Sequence, residues 1–208
     1  SMFVQAYGVA YGVIADPMRA FTGPRLSAGV YTDDTQMTIG VAESLIACRG
    51  FDPAEMARRF AENFDPRRGY GPGTAKVLKL IRAGASWNAP AREMFGGTGS
   101  YGNGAAMRSA PIGLCYADDP VVLRRVADQA AAITHAHPVG REAGVLIAYA
   151  VALLSRMAGG DVQSDPFLTS LEGFIAQDAE ELRRKLALVR QLLERNPDAA
   201  EVAAALGN

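Results

Sequence analysis

Tyr31-Thr32-Asp33-Asp34-Thr35-Gln36-Met37-Thr38 opens a run that continues to Cys48, and within it Met37, Val41, Leu45 and Cys48 recur every three or four residues. That recurrence is the apolar stripe of an α-helix. Ala143, Leu146, Ile147, Ala150, Leu153, Leu154 and Met157 repeat it, whereas period-two alternation is nearly absent. An all-α protein is expected. Just before the first stripe, two carboxylates and two hydroxyls crowd one helix start. Asp and Thr are favoured capping residues, so a cap accounts for the cluster taken alone. A cap needs only one acid, however. Adjacent ionised carboxylates repel, and a cation relieves the repulsion, so Asp33-Asp34 between threonines has a physical reason to hold a hard metal such as Mg²⁺.

Working outward, Asp52-Pro53-Ala54-Glu55 combines an N-cap, a proline at the first helical position and a reciprocal glutamate, and Asp119-Pro120 repeats the first two parts. Further helices fit residues 74–83, closed by Gly84, then 121–134, 138–158, 179–194 and 198–206. Loops are expected at 16–29, 65–73, 86–104 and 159–166, where glycine and proline concentrate. No repeat, low-complexity tract or linker divides the 208 residues, so a single domain spanning 1–208 is expected. Lys plus Arg number 21 against 22 Asp plus Glu, a balance that gives no reason to expect direct nucleic-acid or membrane binding. The two cysteines, Cys48 and Cys115, lack partners at metal-ligand spacing, and no signal peptide or membrane span is apparent; a reduced cytoplasmic protein is expected. Ser1 before Met2 looks like a residue left by tag cleavage.

A second segment bears on chemistry. Gly99-Ser100-Tyr101-Gly102-Asn103-Gly104-Ala105-Ala106-Met107-Arg108 is a glycine-rich loop of the kind that brings backbone N–H groups close to phosphate oxygens. By itself it equally fits a flexible surface turn. Beside the Asp33-Asp34 cluster it points to a metal-assisted reaction on a phosphate-bearing ligand. Arg108 could pair with an anionic ligand or with a neighbouring acid. His135 and His137 are the only histidines, and without a cysteine or third histidine they do not make a zinc site; His137-Pro138 reads as the cap of the next helix.

These segments, with Ile133-Thr134-His135-Ala136, resemble the ADP-ribosylhydrolase (ADP-ribosylglycohydrolase) family, most closely the subgroup acting on ADP-ribosyl-serine and poly(ADP-ribose). The resemblance runs in order through Phe51-Asp52 to Phe60-Ala61, Arg68-Gly69-Tyr70-Gly71, Phe95, the glycine loop, the His135 segment and the helix over 140–154. It implies a compact orthogonal helical bundle and hydrolysis of a glycosidic bond to ADP-ribose. It also implies an ADP-ribose or ADP-ribosylated protein as partner and a pair of Mg²⁺ ions, the first held by Thr32, Asp33 and Asp34. Ligand contacts carry over to Phe95, Gly99, Ser100, Tyr101, Gly102, Asn103, Met107 and His135, with Tyr101 or Phe95 stacking on a ring.

Gly8-Val9-Ala10-Tyr11-Gly12-Val13-Ile14-Ala15-Asp16-Pro17 resembles the family's first helix, with Val9 in place of an aspartate and Asp16 in place of the active-site glutamate. Asp16 is the candidate acid-base group, joining Asp33 and Asp34 as catalytic candidates. The family's second acidic motif, of the Gly-Gly-Asp-Thr-Asp-Thr type, is not met before Leu206-Gly207-Asn208; Gly159-Gly160-Asp161 lacks the Asp-Thr continuation. The bundle is therefore expected to lack its C-terminal helices and the second metal its ligands. The alternative is an ADP-ribose-binding module that does not cleave.

Overall fold

The structure, a computed structural model, describes residues 9–10, 13–14, 31–157, 162–195 and 197–206. They form two units, Tyr31–Glu180 and the described residues of Ser1–Val30 with Glu181–Asn208.

The first unit begins with α1 (Asp33–Cys48), whose predicted stripe holds at Met37, Val41 and Leu45, which are buried, and fails at Cys48, which is exposed in the last turn. Asp52 caps α2 (Pro53–Asn63), accepting from Glu55 N at 2.8 Å, with Pro53 at the helix start. A 3-10 turn (Pro66–Arg68) leads to α3 (Pro72–Arg82). The stretch 86–104, expected to be loop, contains α4 (Ala89–Glu93) and a 3-10 turn (Met94–Gly97), because Pro90 falls in a first turn that needs no N–H from it. After a 3-10 turn (Ala106–Arg108) come α5 (Ala110–Cys115), α6 (Pro120–Ala132), capped by Asp119 at 3.0 Å from Val122 N, and α7 (Pro138–Ser155). α8 (Ser164–Phe174) starts inside the loop expected at 159–166; Pro166 sits in its first turn, where it is tolerated rather than disruptive.

Met37, Val41 and Leu45 meet Met56, Phe60, Leu78, Leu123 and Val145 in one core cluster. Each such side chain, fully buried, contributes about 1.5–3 kcal/mol, so the start of α1 is anchored by the core beneath it. Two helix crossings are close enough to require glycine: a Cβ on Gly40 would lie 3.0 Å from the Phe60 ring, and one on Gly113 would lie 2.3 Å from the Ala148 carbonyl oxygen. By length and composition α7 could cross a membrane. Its Arg141 and Glu142 instead pair with Asp128 and Arg124 of α6, which ties it into the unit as a packing helix. Cys48 and Cys115 are exposed free thiols.

In the second unit, α9 (Glu180–Arg195) and α10 (Ala199–Leu206) match the expected segments within a residue. Asp198 caps α10, accepting from Glu201 N at 2.8 Å, and Arg195 pairs with Glu201. The unit corrects one expectation. Val9–Ala10 and Val13–Ile14 are short strands, paired antiparallel in the register Val9↔Ile14 and Ala10↔Val13, where resemblance implied helix. β-branched Val9, Val13 and Ile14 favour extended backbone. The pair leaves the all-α class unchanged.

Candidate functional site

The α1 N-terminus brings Thr32, Asp33 and Asp34 together. A cap would turn the Thr32 hydroxyl to the first amides of the helix; that bond is not made, and Oγ1 donates to Asp34 Oδ2 at 2.8 Å. Partial burial, then the charge of Asp34, pushes the Asp33 carboxyl up to about 6. The segment after α2 holds this end in place. The Arg68 guanidinium lies 4.0 Å over the Tyr31 ring and donates to the Tyr31 carbonyl at 3.1 Å. The Tyr70 hydroxyl donates to Gln36 Oε1 at 2.8 Å, and Gly69, at φ 86°, brings bare backbone up to Asp33. Burial, and after it the Asp33 charge, raises the Tyr70 hydroxyl well above its ordinary range, so it stays a donor.

The glycine loop turns sharply. Phe95, Gly96, Gly97 and Gly99 all have left-handed φ, of 54°, 68°, 92° and 77°, and for Phe95 that conformation is strained. The Phe95 ring stays 59% exposed, resting its edge over Gly73; Tyr101, 54% exposed, meets the His137 ring edge-on at 5.3 Å. Both aromatic residues are thus exposed. His137 caps α7, its Nδ1 accepting from Val139 N at 3.2 Å. Within the loop, the amides of Thr98, Gly99 and Gly102 are already engaged by Phe95 O, Met94 O and Ser100 Oγ. Ser100 Oγ accepts that bond, so its own proton remains to give. Asn103 is exposed, and its carbonyl accepts from Met107 N at 3.0 Å.

His135 lies beneath the loop, 2% exposed, with its ring where Gly104 would carry a side chain: a Cβ there would be 2.5 Å from Cε1 and 2.8 Å from Nε2. Burial, then the neighbouring Arg108 charge, pushes the imidazole down to about 3, so it is neutral. Arg108 departs from both sequence alternatives. Among the described residues no carboxylate meets it; it is 1% exposed, its ends donating to Gly104 O (2.7 Å), Thr134 Oγ1 (2.9 Å) and Ala130 O (2.9 Å), with Cζ 4.8 Å over the Phe60 ring. Burial brings its pKa down to about 9. Met107 packs its side chain against the core. Its carbonyl lies 3.4 Å from the Thr38 hydroxyl, which also donates to Asp34 O at 2.7 Å, so one side chain links the carboxylate end of α1 to the end of the loop.

Asp16 lies outside the described residues. Among the described residues no group of three or more His, Cys, Asp or Glu side chains converges as a metal site. Thr32, Asp33 and Asp34 fit one side of a hard-cation shell: all donors are oxygens, and a cation would offset both the partial burial and the Asp34 charge that raise the Asp33 carboxyl. Sequence reading missed Thr134, Arg108 as a buried support, and a cleft of about 510 Å³ whose wall includes Trp87, Arg92, Asp128 and Arg141 and meets the loop at Gly97 and Ala136.

The family described as ADP-ribosylglycohydrolase matches residues 2–208. ADP-ribosylhydrolase ARH3 of Homo sapiens is 39% identical over 178 residues, covering 83% of this chain and 48% of that protein. The Bos taurus ARH3 is 37% identical over 205 residues, covering 88% and 55%. A solved structure described as an ADP-ribosylglycohydrolase-related protein complex aligns with a TM-score of 0.64 and 31% identity, over 88% of this chain and 60% of that one. The all-α frame is that of a glycohydrolase-type fold. The chain belongs to the ADP-ribosylglycohydrolase family. It spans about half the length of the human and bovine relatives it matches.

Proposed function

We propose that this chain carries the ligand-holding part of an enzyme that hydrolyses a glycosidic bond to ADP-ribose with Mg²⁺, releasing ADP-ribose from serine-modified protein or from poly(ADP-ribose). The observation that carries the reading is the Asp33-Asp34 pair: its Asp33 carboxyl is held up to about 6 beside Asp34, at a helix start that the Thr38 hydroxyl links to the glycine loop. Thr32, Asp33 and Asp34 would hold the metal, which when bound supplies orientation of the ribose and charge to stabilise bond breaking. Ser100 Oγ and His135 Nε2 would donate to the diphosphate, and the exposed rings of Phe95 and Tyr101 would stack on the base. Glycosyl cleavage develops positive charge at the anomeric carbon, so a carboxylate close by assists both bond breaking and the activation of water. Asp16 is the residue to which that acid-base role is assigned from the sequence.

A second reading, an ADP-ribose-binding module without turnover, is favoured by the two-carboxylate limit among the described residues. Calorimetric titration of ADP-ribose with Mg²⁺ and with a chelator, followed by a hydrolysis assay on Asp33→Asn, separates the two. Mg²⁺-dependent binding, with turnover that the variant abolishes, is expected. Wild-type hydrolysis by Asp33→Asn would reject the metal assignment, and binding that ignores the chelator with no turnover would select the binding module.

A further inference from the structure

We infer that Arg108 and Thr134 are positioning residues that hold His135 as the Nε2–H tautomer, so that the ring presents a single N–H donor to an anionic or hydroxyl oxygen of the ligand at the glycine loop. The ligand side of this inference rests on the function proposed above; the tautomer itself does not.

The argument is a count of protons. Thr134 is fully buried, and its hydroxyl has one proton to give and two lone pairs. Arg108 Nη1, a donor only, occupies one lone pair at 2.9 Å. His135 Nδ1 lies 2.8 Å from the same oxygen, and no other acceptor for the hydroxyl proton is present among the described residues. Were Nδ1 to carry a proton and donate, Thr134 would be left with a buried O–H pointing at nothing, a cost of about 1–3 kcal/mol. The hydroxyl therefore donates to Nδ1, and a neutral imidazole with Nδ1 accepting carries its proton on Nε2.

Nε2 faces the loop. It lies 2.8 Å from where a Gly104 Cβ would be and 3.7 Å from where a Gly102 Cβ would be, and it has no partner among the described residues. Arg108 also grips the Gly104 carbonyl at 2.7 Å, so one guanidinium sets both the loop backbone and the polarity of the hydroxyl that orients the ring. Its burial, with no carboxylate against it among the described residues, fits that double duty. A group whose job is to donate in fixed directions needs lone pairs around it, and two carbonyls and a hydroxyl supply them.

The chain has two histidines, so a long-range ¹H–¹⁵N correlation spectrum contains two ring systems, with His137 as internal reference. Wild-type protein without ligand is expected to show His135 with an unprotonated Nδ1 and a protonated Nε2, unchanged from pH ~5 to ~8. Thr134→Val keeps the side-chain shape, removes the hydroxyl, and should move the His135 nitrogens toward tautomer averaging while weakening ADP-ribose roughly tenfold; Thr134→Ser should restore both. An Nδ1–H ring in the wild type, or His135 shifts identical in wild type and Thr134→Val, would overturn the inference. Correct tautomer behaviour with no ADP-ribose binding by any variant would uphold the relay and sink the functional reading instead.

Discussion

The carboxylate end of α1 and the histidine beneath the glycine loop lie in the same unit and handle charge in opposite ways. At Asp33, partial burial and a like-charged neighbour push a carboxyl up to about 6. At His135, deeper burial and a neighbouring cation push an imidazole down to about 3. Both shifts favour neutrality, yet they leave opposite needs. The first region sets like charges side by side, while the second offers N–H and O–H donors with no carboxylate against them among the described residues.

The largest expected effect comes from breaking the second region at its support. Arg108→Ala opens a cavity against Phe60 and strands the Gly104 and Ala130 carbonyls, and should lower the unfolding free energy by about 3–5 kcal/mol in urea titration. A loss under about 1 kcal/mol would show that the guanidinium is not part of the support. Next is acid sensitivity. The folded ring of His135 refuses a proton that the unfolded chain accepts near 6.5, so its contribution is present above 6.5 and lost as pH falls toward about 3. His135→Gln should flatten that slope by about 2–4 kcal/mol.

Asp33 sharpens the comparison by running the other way. Its folded carboxyl keeps its proton to about 6 against 3.8, so the metal-free protein is favoured below 3.8 and loses that contribution as pH rises through 6. The loss is about 1–2 kcal/mol after solvent screening of a partly exposed group. Mg²⁺ should recover it, and Asp33→Asn should remove both the loss and the recovery; a variant that still gains stability from Mg²⁺ would move the cation elsewhere. The smallest effect belongs to Phe95→Asn. Relief of the left-handed backbone at φ 54° should raise stability by about 0.5–1 kcal/mol, while ADP-ribose binding weakens as the exposed ring is lost.

What was legible in the sequence was local. Asp52-Pro53 and Asp119-Pro120 announce α2 and α6 because capping chemistry is complete within four residues. The α1 stripe reads correctly because its period is intrinsic to the helix. Proline misleads where its meaning depends on register: Pro90 and Pro166 fall in stretches whose composition marks loop, yet each sits in the first turn of a helix. In the site, adjacency made Thr32, Asp33, Asp34 and residues 99–104 visible. Arg108 was noticed but its role was not, because Gly104, Thr134 and Ala130 reach it from as many as 26 positions away and only folding gathers them. Thr134 drew no attention for the same reason, since a threonine beside a histidine carries no signal until a third group fixes the direction of its proton.

Trp87 is the chain's single tryptophan, and it stands in the cleft wall with Gly97 and Ala136, half-buried against the core. The same wall includes Gly97, in the turn that carries Phe95, and Ala136, the residue that follows His135. Excited selectively over the seven tyrosines, this indole is a native optical gauge of the loop: any shift of the Gly97 turn on seating a ligand changes the polarity around one fluorophore, and the colour of its emission reports occupancy without a label.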